Sequence, residues 1–204
     1  MNIESNTTLK PLHAGRHKGA HRGWAIMEQG GVALAVIFVI ALVYGGINGL
    51  RSKTNIGTES SNIQTIITST QNLLAGADGY SFSSGSKMMG ALIQMNAIPR
   101  TMRVGGDRTS GTATLYNTWG GEITLDTITT NGFANGFRLT YDKVPQAECI
   151  QIVTSLSKSA IANGIAINSN SHDDGKVTTE DASTQCTADN SGAGANKLAF
   201  TVNG

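Results

Sequence analysis

An uncharged apolar run that begins directly after a single carboxylate is the feature that most constrains this chain. No charged side chain occurs from residue 29 to residue 50, and Glu28 stands immediately before that run. As a helix with a rise of about 1.5 Å per residue, such a run spans the roughly 30 Å hydrocarbon core of a bilayer. A carboxylate in or near hydrocarbon is costly, so Glu28 predicts a functional role that requires a partner.

The charges around this run are unevenly distributed. The first 23 residues carry four basic side chains against one acidic side chain, whereas the remainder carries a small acidic excess. A basic segment before an apolar helix favours a cytoplasmic N-terminus. The remainder has no basic excess with which to neutralise phosphates, so nucleic-acid binding is not predicted.

The two cysteines, Cys149 and Cys186, lie far downstream of the apolar run, on its exported side. An even pair in an exported domain favours a disulfide. The alternative is a catalytic thiol, which needs a basic partner, and His172 is the only histidine outside the first 23 residues. The exported part is rich in Gly, Ser, Thr and Asn, which is typical of a loop-rich surface. We therefore expect neither an enzyme nor a cofactor.

The chain divides into a leader, a long helix and a head. Residues 1–23 are polar and basic and lack apolar periodicity. Residues 24–76 are predicted to form one long helix, membrane-spanning over about residues 29–50 and amphipathic from Ile56 to Leu74. A Gly-rich stretch ends it, leaving residues 77–204 as a globular head.

Patterns within the head predict an α+β fold in which the long helix carries an antiparallel sheet. Residues 86–98 are predicted to form a short helix closed by Pro99, and Pro145 opens another helix that reaches about Ile161. A loop-rich segment then runs to Cys186. Segments with alternating polarity or turn signals at their ends are predicted strands: 112–119, 122–129, 136–142 and 197–203.

The N-terminal motif resembles a prepilin processing site. Arg22-Gly23 is followed by Trp24, and Glu28 is the fifth residue counted from Trp24, with the apolar run behind it. The long leader is similar to that of the type IVb class, which includes toxin-coregulated pilin and the thin-pilus pilins of conjugative plasmids. Further segments resemble the type IVb head: Asn-Thr-Trp-Gly-Gly at 117–121, residues 137–141, Val-Pro at 144–145, Cys149 and a second cysteine before the last strand.

This resemblance implies a structural subunit of a type IV pilus. A prepilin peptidase would cut the inner-membrane precursor between Gly23 and Trp24, and Trp24 would become the N-methylated terminus, although Met, Leu or Val is more usual there. Inner-membrane assembly machinery would then polymerise the subunit into an extracellular filament (fimbrium) for attachment, aggregation or conjugative mating. In the family, the position of Glu28 guides docking of an incoming subunit. Physically, this carboxylate and the Trp24 amine of a neighbouring subunit would neutralise each other.

Other classes remain open at this point. A minor pilin, a type II secretion pseudopilin and a membrane-anchored adhesin share the N-terminal features. An ordinary secretory signal would need an Ala-x-Ala-like site after the run, and none follows it. An unprocessed signal anchor would leave Glu28 unexplained.

Two patterns that contain histidine or aspartate suggest metal sites. A polar leader is the favoured interpretation of the first pattern, and a solvated loop is that of the second. His13, His17 and His21 share a helical face within the leader. Residues 170–181 have a partial calcium-loop pattern that lacks Asp at its first position and Glu at its last. We therefore predict no metal site. Three methionines are expected to lie in the core: Met88, Met89 and Met95.

Overall fold

A computed structural model of the protein describes residues 56–203. The predicted leader and apolar run lie outside the described residues, as does residue 204. Among the residues described, no helix is long and apolar enough to cross a membrane.

Helices and strands alternate irregularly along the described chain. The helices are α1 (residues 56–74), α2 (Gly85–Gln94), α3 (Gln146–Ser159) and α4 (Thr179–Gln185). The strands are β1 (Arg103–Gly105), β2 (Thr114–Tyr116), β3 (Glu122–Thr130), β4 (Phe133–Val144), β5 (Gly164–Ile167), β6 (Asn170–His172) and β7 (Asn196–Asn203). They form a seven-stranded sheet in the order β1-β2-β3-β4-β7-β5-β6, in which every pair is antiparallel. The predicted α+β class is confirmed.

One face of the sheet and one face of α1 share the hydrophobic core. Because alternate side chains of a strand point to opposite faces, β3, β4 and β7 each present every second residue to that core. These residues are buried: Ile123, Leu125, Phe137, Leu139, Tyr141, Leu198, Phe200 and Val202. These strand residues pack against a buried stripe of α1 at helical spacing, formed by Ile63, Ile66, Ile67, Thr70 and Leu74.

Helix α2 ends at Gln94, four residues before the predicted limit. Asn96 adopts a left-handed conformation with φ of 53°, and its N–H donates to the Ile93 carbonyl at 3.1 Å. The N–H of Ala97 donates to the Leu92 carbonyl at 2.9 Å, which completes a Schellman motif. The helix is therefore stopped by this cap and not by the proline that follows.

The position of that stop decides which methionines are buried. Met88 and Met89 lie on the inner face of α2 and are buried, as expected. Met95 follows the last helical residue and is 47% exposed, so the expectation that it lies in the core is wrong.

The predicted strand 112–119 is shorter in the structure, and its neighbour β1 was not predicted. β2 stops at Tyr116 because Asn117 leaves the ladder to organise a loop. β4 is longer than predicted and contains an irregularity between Tyr141 and Val144, where Lys143 has a φ of 56°. Pro145 precedes α3 as its N-cap, and α3 ends at Ser159, followed by a left-handed Ala160.

The segment predicted to be a loop before Cys186 contains regular structure. It includes β5, β6 and α4, of which β5 pairs with β7 and carries the buried Ile165 and Ile167. Helix α4 has only seven residues and one buried position, so it has almost no apolar period to detect. Its start is set by a capping box between Thr178 and Asp181.

Candidate functional site

The predicted processing and assembly residues Gly23, Trp24 and Glu28 lie outside the described residues, as do the leader histidines. Within residues 56–203, two features bear on the predicted role: the attachment of α1 to the sheet and the region bounded by the cysteines.

Glu59 is a fully buried carboxylate on α1. It accepts a hydrogen bond from the backbone N–H of Thr118 at 2.9 Å and another from the Thr118 hydroxyl. The Asn62 amide, one turn along the helix, donates to it at 3.4 Å. A buried carboxylate is tolerated only when hydrogen bonds replace its water. Glu59 therefore joins α1 to the loop between β2 and β3.

The loop that receives Glu59 is the Asn-Thr-Trp-Gly-Gly motif. The side-chain oxygen of Asn117 accepts N–H bonds from Trp119 at 3.0 Å and from Gly121 at 2.8 Å. Its amide donates to the Asp142 carbonyl at 2.7 Å. A Cβ at Gly121 would lie 1.8 Å from that same carbonyl oxygen, so only glycine fits. The motif thus specifies a rigid loop that presents Thr118 to the helix.

Tyr141 lies in the core near this contact. It is fully buried, and its hydroxyl has no hydrogen-bond partner in the described part of the chain. Burial, and secondarily the charge of the nearby Glu59, raises the pKa of Tyr141 well above its usual value. The phenol is therefore neutral at any physiological pH.

The predicted disulfide between Cys149 and Cys186 is present. The two Cα atoms are 6.0 Å apart, and both residues are buried. The bond joins the first turn of α3 to the residue that follows α4. Neither sulfur is a free thiol, which rules out the catalytic-thiol alternative.

Asn196 connects the segments around the disulfide. It is fully buried at the start of β7, and its amide donates to the carbonyls of Val144 at 3.1 Å and Thr187 at 2.9 Å. Its oxygen accepts the Thr187 N–H at 2.7 Å and the Asn168 amide at 3.0 Å. One side chain thus links β4, β7, the β5–β6 turn and the residue after Cys186.

The start of α3 is capped from a distant part of the chain. Its N-cap Pro145 has no side-chain donor or acceptor, and the N–H of Gln146 is bound instead by Asp189 at 2.7 Å. The Gln146 side chain donates to the Cys186 carbonyl at 2.9 Å. The segment after the disulfide is therefore attached to α3 by polar contacts as well as by the covalent bond.

The residues of the partial calcium-loop pattern have separate structural roles. Asn170 and His172 belong to β6, and the His172 ring is hydrogen-bonded to Gln185 at 2.9 Å. Asp181 accepts the Thr178 hydroxyl at 2.6 Å, and this bond is the main cause of the lowered pKa of Asp181. Within the described residues, no cluster of three or more His, Cys, Asp or Glu side chains is arranged to hold a metal ion.

Sequence reasoning missed Glu59 and Asn196. A signal existed for Glu59, because residue 59 falls on the same helical face as Ile56, Ile63 and Ile66 and is thus a charge within an apolar stripe. No comparable signal existed for Asn196, whose partners are nine to 52 positions away in the sequence.

Comparison with known proteins assigns the chain to a family. The family model described as PilS N terminal matches residues 53–203. A search of curated proteins gave no significant match.

Two solved structures are similar to the chain over nearly their whole length. The crystal structure of a type IVb pilin from Salmonella typhi is 50% identical, with a TM-score of 0.66, and the match covers 72% of this chain and 99% of that one. The NMR structure of the type IVb pilin PilS from Salmonella typhi is 48% identical, with a TM-score of 0.53, covering 74% and 97%. Because the family model spans most of the sequence and these relatives are matched almost completely, the chain belongs to the type IVb pilin family.

Proposed function

We propose that this chain is the repeating subunit of a type IVb pilus, made as a prepilin in the inner membrane and polymerised into an extracellular filament. The match to the pilin family over residues 53–203 carries this conclusion. Pilins are structural and not enzymatic, and they assemble with other pilin subunits into an extracellular pilus.

The way in which the head is held supports a structural role. A filament subunit must transmit force from its head to its N-terminal helix. In this chain, α1 contributes its own apolar stripe to the core, and Glu59 adds a buried polar contact to Thr118. The disulfide links α3 to the residue after α4, and Asn196 adds buried hydrogen bonds that join β4 and β7 to the same region.

We further propose that a prepilin peptidase cuts between Gly23 and Trp24. Glycine leaves the cut position without a side chain. The product begins with the apolar residue Trp24, and its fifth residue is the carboxylate Glu28. N-terminal sequencing and intact mass of the mature protein should give a chain of residues 24–204, methylated at Trp24. Gly23→Phe should leave the uncut precursor in the membrane. A mature terminus beyond Tyr44 would instead indicate an ordinary secretory route.

Glu28 is proposed to act in assembly through the Trp24 amine of a neighbouring subunit. A partner on the same chain would be satisfied in the monomer too, whereas the contact with a neighbour exists only in the filament. Glu28→Ala should therefore be inserted and cut normally but yield few or no pili, and Glu28→Asp should be milder. Gln29→Ala, at the adjacent position, is the matched control and should assemble normally. Normal piliation by Glu28→Ala would contradict this role.

Shearing distinguishes the proposed major subunit from the alternatives. A major pilin is released from cells as abundant filaments, a minor pilin or pseudopilin is released in trace amounts, and an anchored adhesin remains in the membrane fraction. Deletion strains tested for attachment, aggregation and conjugative mating would show which of these processes the pilus serves.

A further inference from the structure

The two edges of the sheet carry opposite charge. Around the edge strand β1, residues 100–108 contain three arginines and one aspartate. We call Arg100 and Arg108 the basic edge. Beyond the opposite edge strand β6, residues 173–181 contain four acidic side chains and one lysine. We call Asp173 and Glu180 the acidic edge.

These edges are too far apart to neutralise each other within one subunit. The sheet has seven strands, with β1 at one edge and β6 at the other. The edges are therefore separated by six strand spacings, or about 29 Å. Exposed charges are largely screened beyond about 8–10 Å at physiological ionic strength. The two edges of one subunit therefore give each other almost no electrostatic stabilisation.

The arginines of the basic edge are available for a partner from another molecule. Arg100 and Arg108 are exposed and line one cleft of about 470 Å³ together with Asn96, Ile98 and Pro99. Among residues 56–203, neither guanidinium has a hydrogen-bond or ion-pair partner. Arg103, in contrast, stacks on the Tyr116 ring at 3.9 Å.

The acidic edge is equally unpaired and is held in place. Asp173 and Glu180 are exposed, and the described part of the chain offers neither carboxylate a partner. Asp173 directly follows β6, and Glu180 lies in α4. The bond between His172 and Gln185 ties α4 to β6, so the two elements that carry these carboxylates are held together.

We propose that the basic edge of one subunit binds the acidic edge of a second copy of this chain, forming a lateral contact between heads in the filament. The inference rests on the proposed pilus function and assigns that function a contact surface. Two different surfaces that pair head to tail produce an open helical filament when the rotation between copies does not close a ring. Charge complementarity favours this register over contacts between like edges.

Charge reversal on each edge tests the contact in cells that express the full chain. Arg100→Glu/Arg108→Glu creates a subunit with two acidic edges, and Asp173→Lys/Glu180→Lys creates one with two basic edges. Either variant alone should reduce sheared pilin at least about tenfold, because like charges in contact cost several kcal/mol. Co-expression of the two variants should restore filaments, because each acidic edge meets a basic edge when the two variants alternate along the filament. Arg138→Glu, an exposed arginine on the central strand β4, is the control and should assemble at the wild-type level.

The outcomes separate this contact from the proposed function. Absence of filaments from the wild-type chain would refute pilus function itself. If the wild type assembles, wild-type yield from either variant alone overturns the contact, and so does co-expression that fails to exceed the separate yields. Total cellular pilin on a non-reducing gel verifies folding. Arg100→Gln/Arg108→Gln, which introduces no repulsion, should give an intermediate loss, and wild-type yield from it would also count against the contact.

Discussion

Removal of the buried carboxylate on α1 should loosen the helix from the sheet. Glu59 accepts two hydrogen bonds from Thr118 and a longer one from Asn62. Hydrogen bonds to a charged group contribute about 1.5–3 kcal/mol each, so the two from Thr118 set an upper limit of about 6 kcal/mol. The exposed Thr118 side chain can bind water instead, and removing Glu59 also relieves the cost of burying its charge. We expect Glu59→Ala to lose about 2–4 kcal/mol of unfolding free energy.

The variant Glu59→Gln removes the charge but keeps the shape of the side chain, so it measures the contribution of the charge alone. Glutamine fills the same space and keeps an oxygen that can accept the Thr118 N–H, so its loss should be about 1–2 kcal/mol. Urea unfolding of a chain comprising residues 53–204 would measure both variants through Trp119, the one tryptophan in that range and a member of the loop that Glu59 binds. Glu122→Gln is the matched control, because Glu122 is exposed on β3.

Two results would refute this reasoning. If Glu59→Gln and Glu59→Ala both unfold at the wild-type urea concentration, the polar contact contributes nothing to the attachment of α1. Alternatively, Glu122→Gln could lose as much stability as Glu59→Gln, which would make burial irrelevant to the effect.

Three further changes test the region around the disulfide. Replacing both Cys149 and Cys186 with alanine should cost about 4 kcal/mol in the same urea assay, the chain-entropy value for a separation of 37 residues; equal stability of the reduced and oxidised wild type would contradict this. Asn196→Ala should cost about 3 kcal/mol, because buried backbone groups in two segments lose their partners, and amide exchange after Cys186 should accelerate. Asp181→Asn should be less stable than wild type at neutral pH. Because the folded pKa of Asp181 is lowered, its contribution is present above the unfolded pKa and is lost as pH falls through the folded value, so the difference should shrink below about pH 4.

Local patterns predicted the long central elements well. The strand β7 alternates between core and surface along its length, β3 and β4 do so over part of theirs, and α3 has a regular apolar face, so each carries its own signal. The short elements before Cys186 carry no such signal. β5 and β6 have four and three residues, too few for a period of two to stand out from a Ser- and Asn-rich background.

The polar contacts of the site depend on positions distant in the sequence. Glu59 and Thr118 are 59 residues apart, and Asn196 and Val144 are 52 apart. Periodicity indicates which side of a helix or strand is buried, but not which donor from another element will face a given acceptor. The Asn-Thr-Trp-Gly-Gly motif was visible in the sequence, whereas its purpose, to present Thr118 to a buried carboxylate, was not.

The sequence alone determined the α+β class, the amphipathic face of α1, the central strands and the pairing of the only two cysteines, because each depends on local spacing or on composition. Tertiary structure decided the order of the strands, the early end of α2, the attachment of Glu59 and the separation of charge between the two edges of the sheet. These features depend on which elements become neighbours. That choice is made when apolar faces are buried together, and buried polar groups must then find partners wherever the chain has placed them.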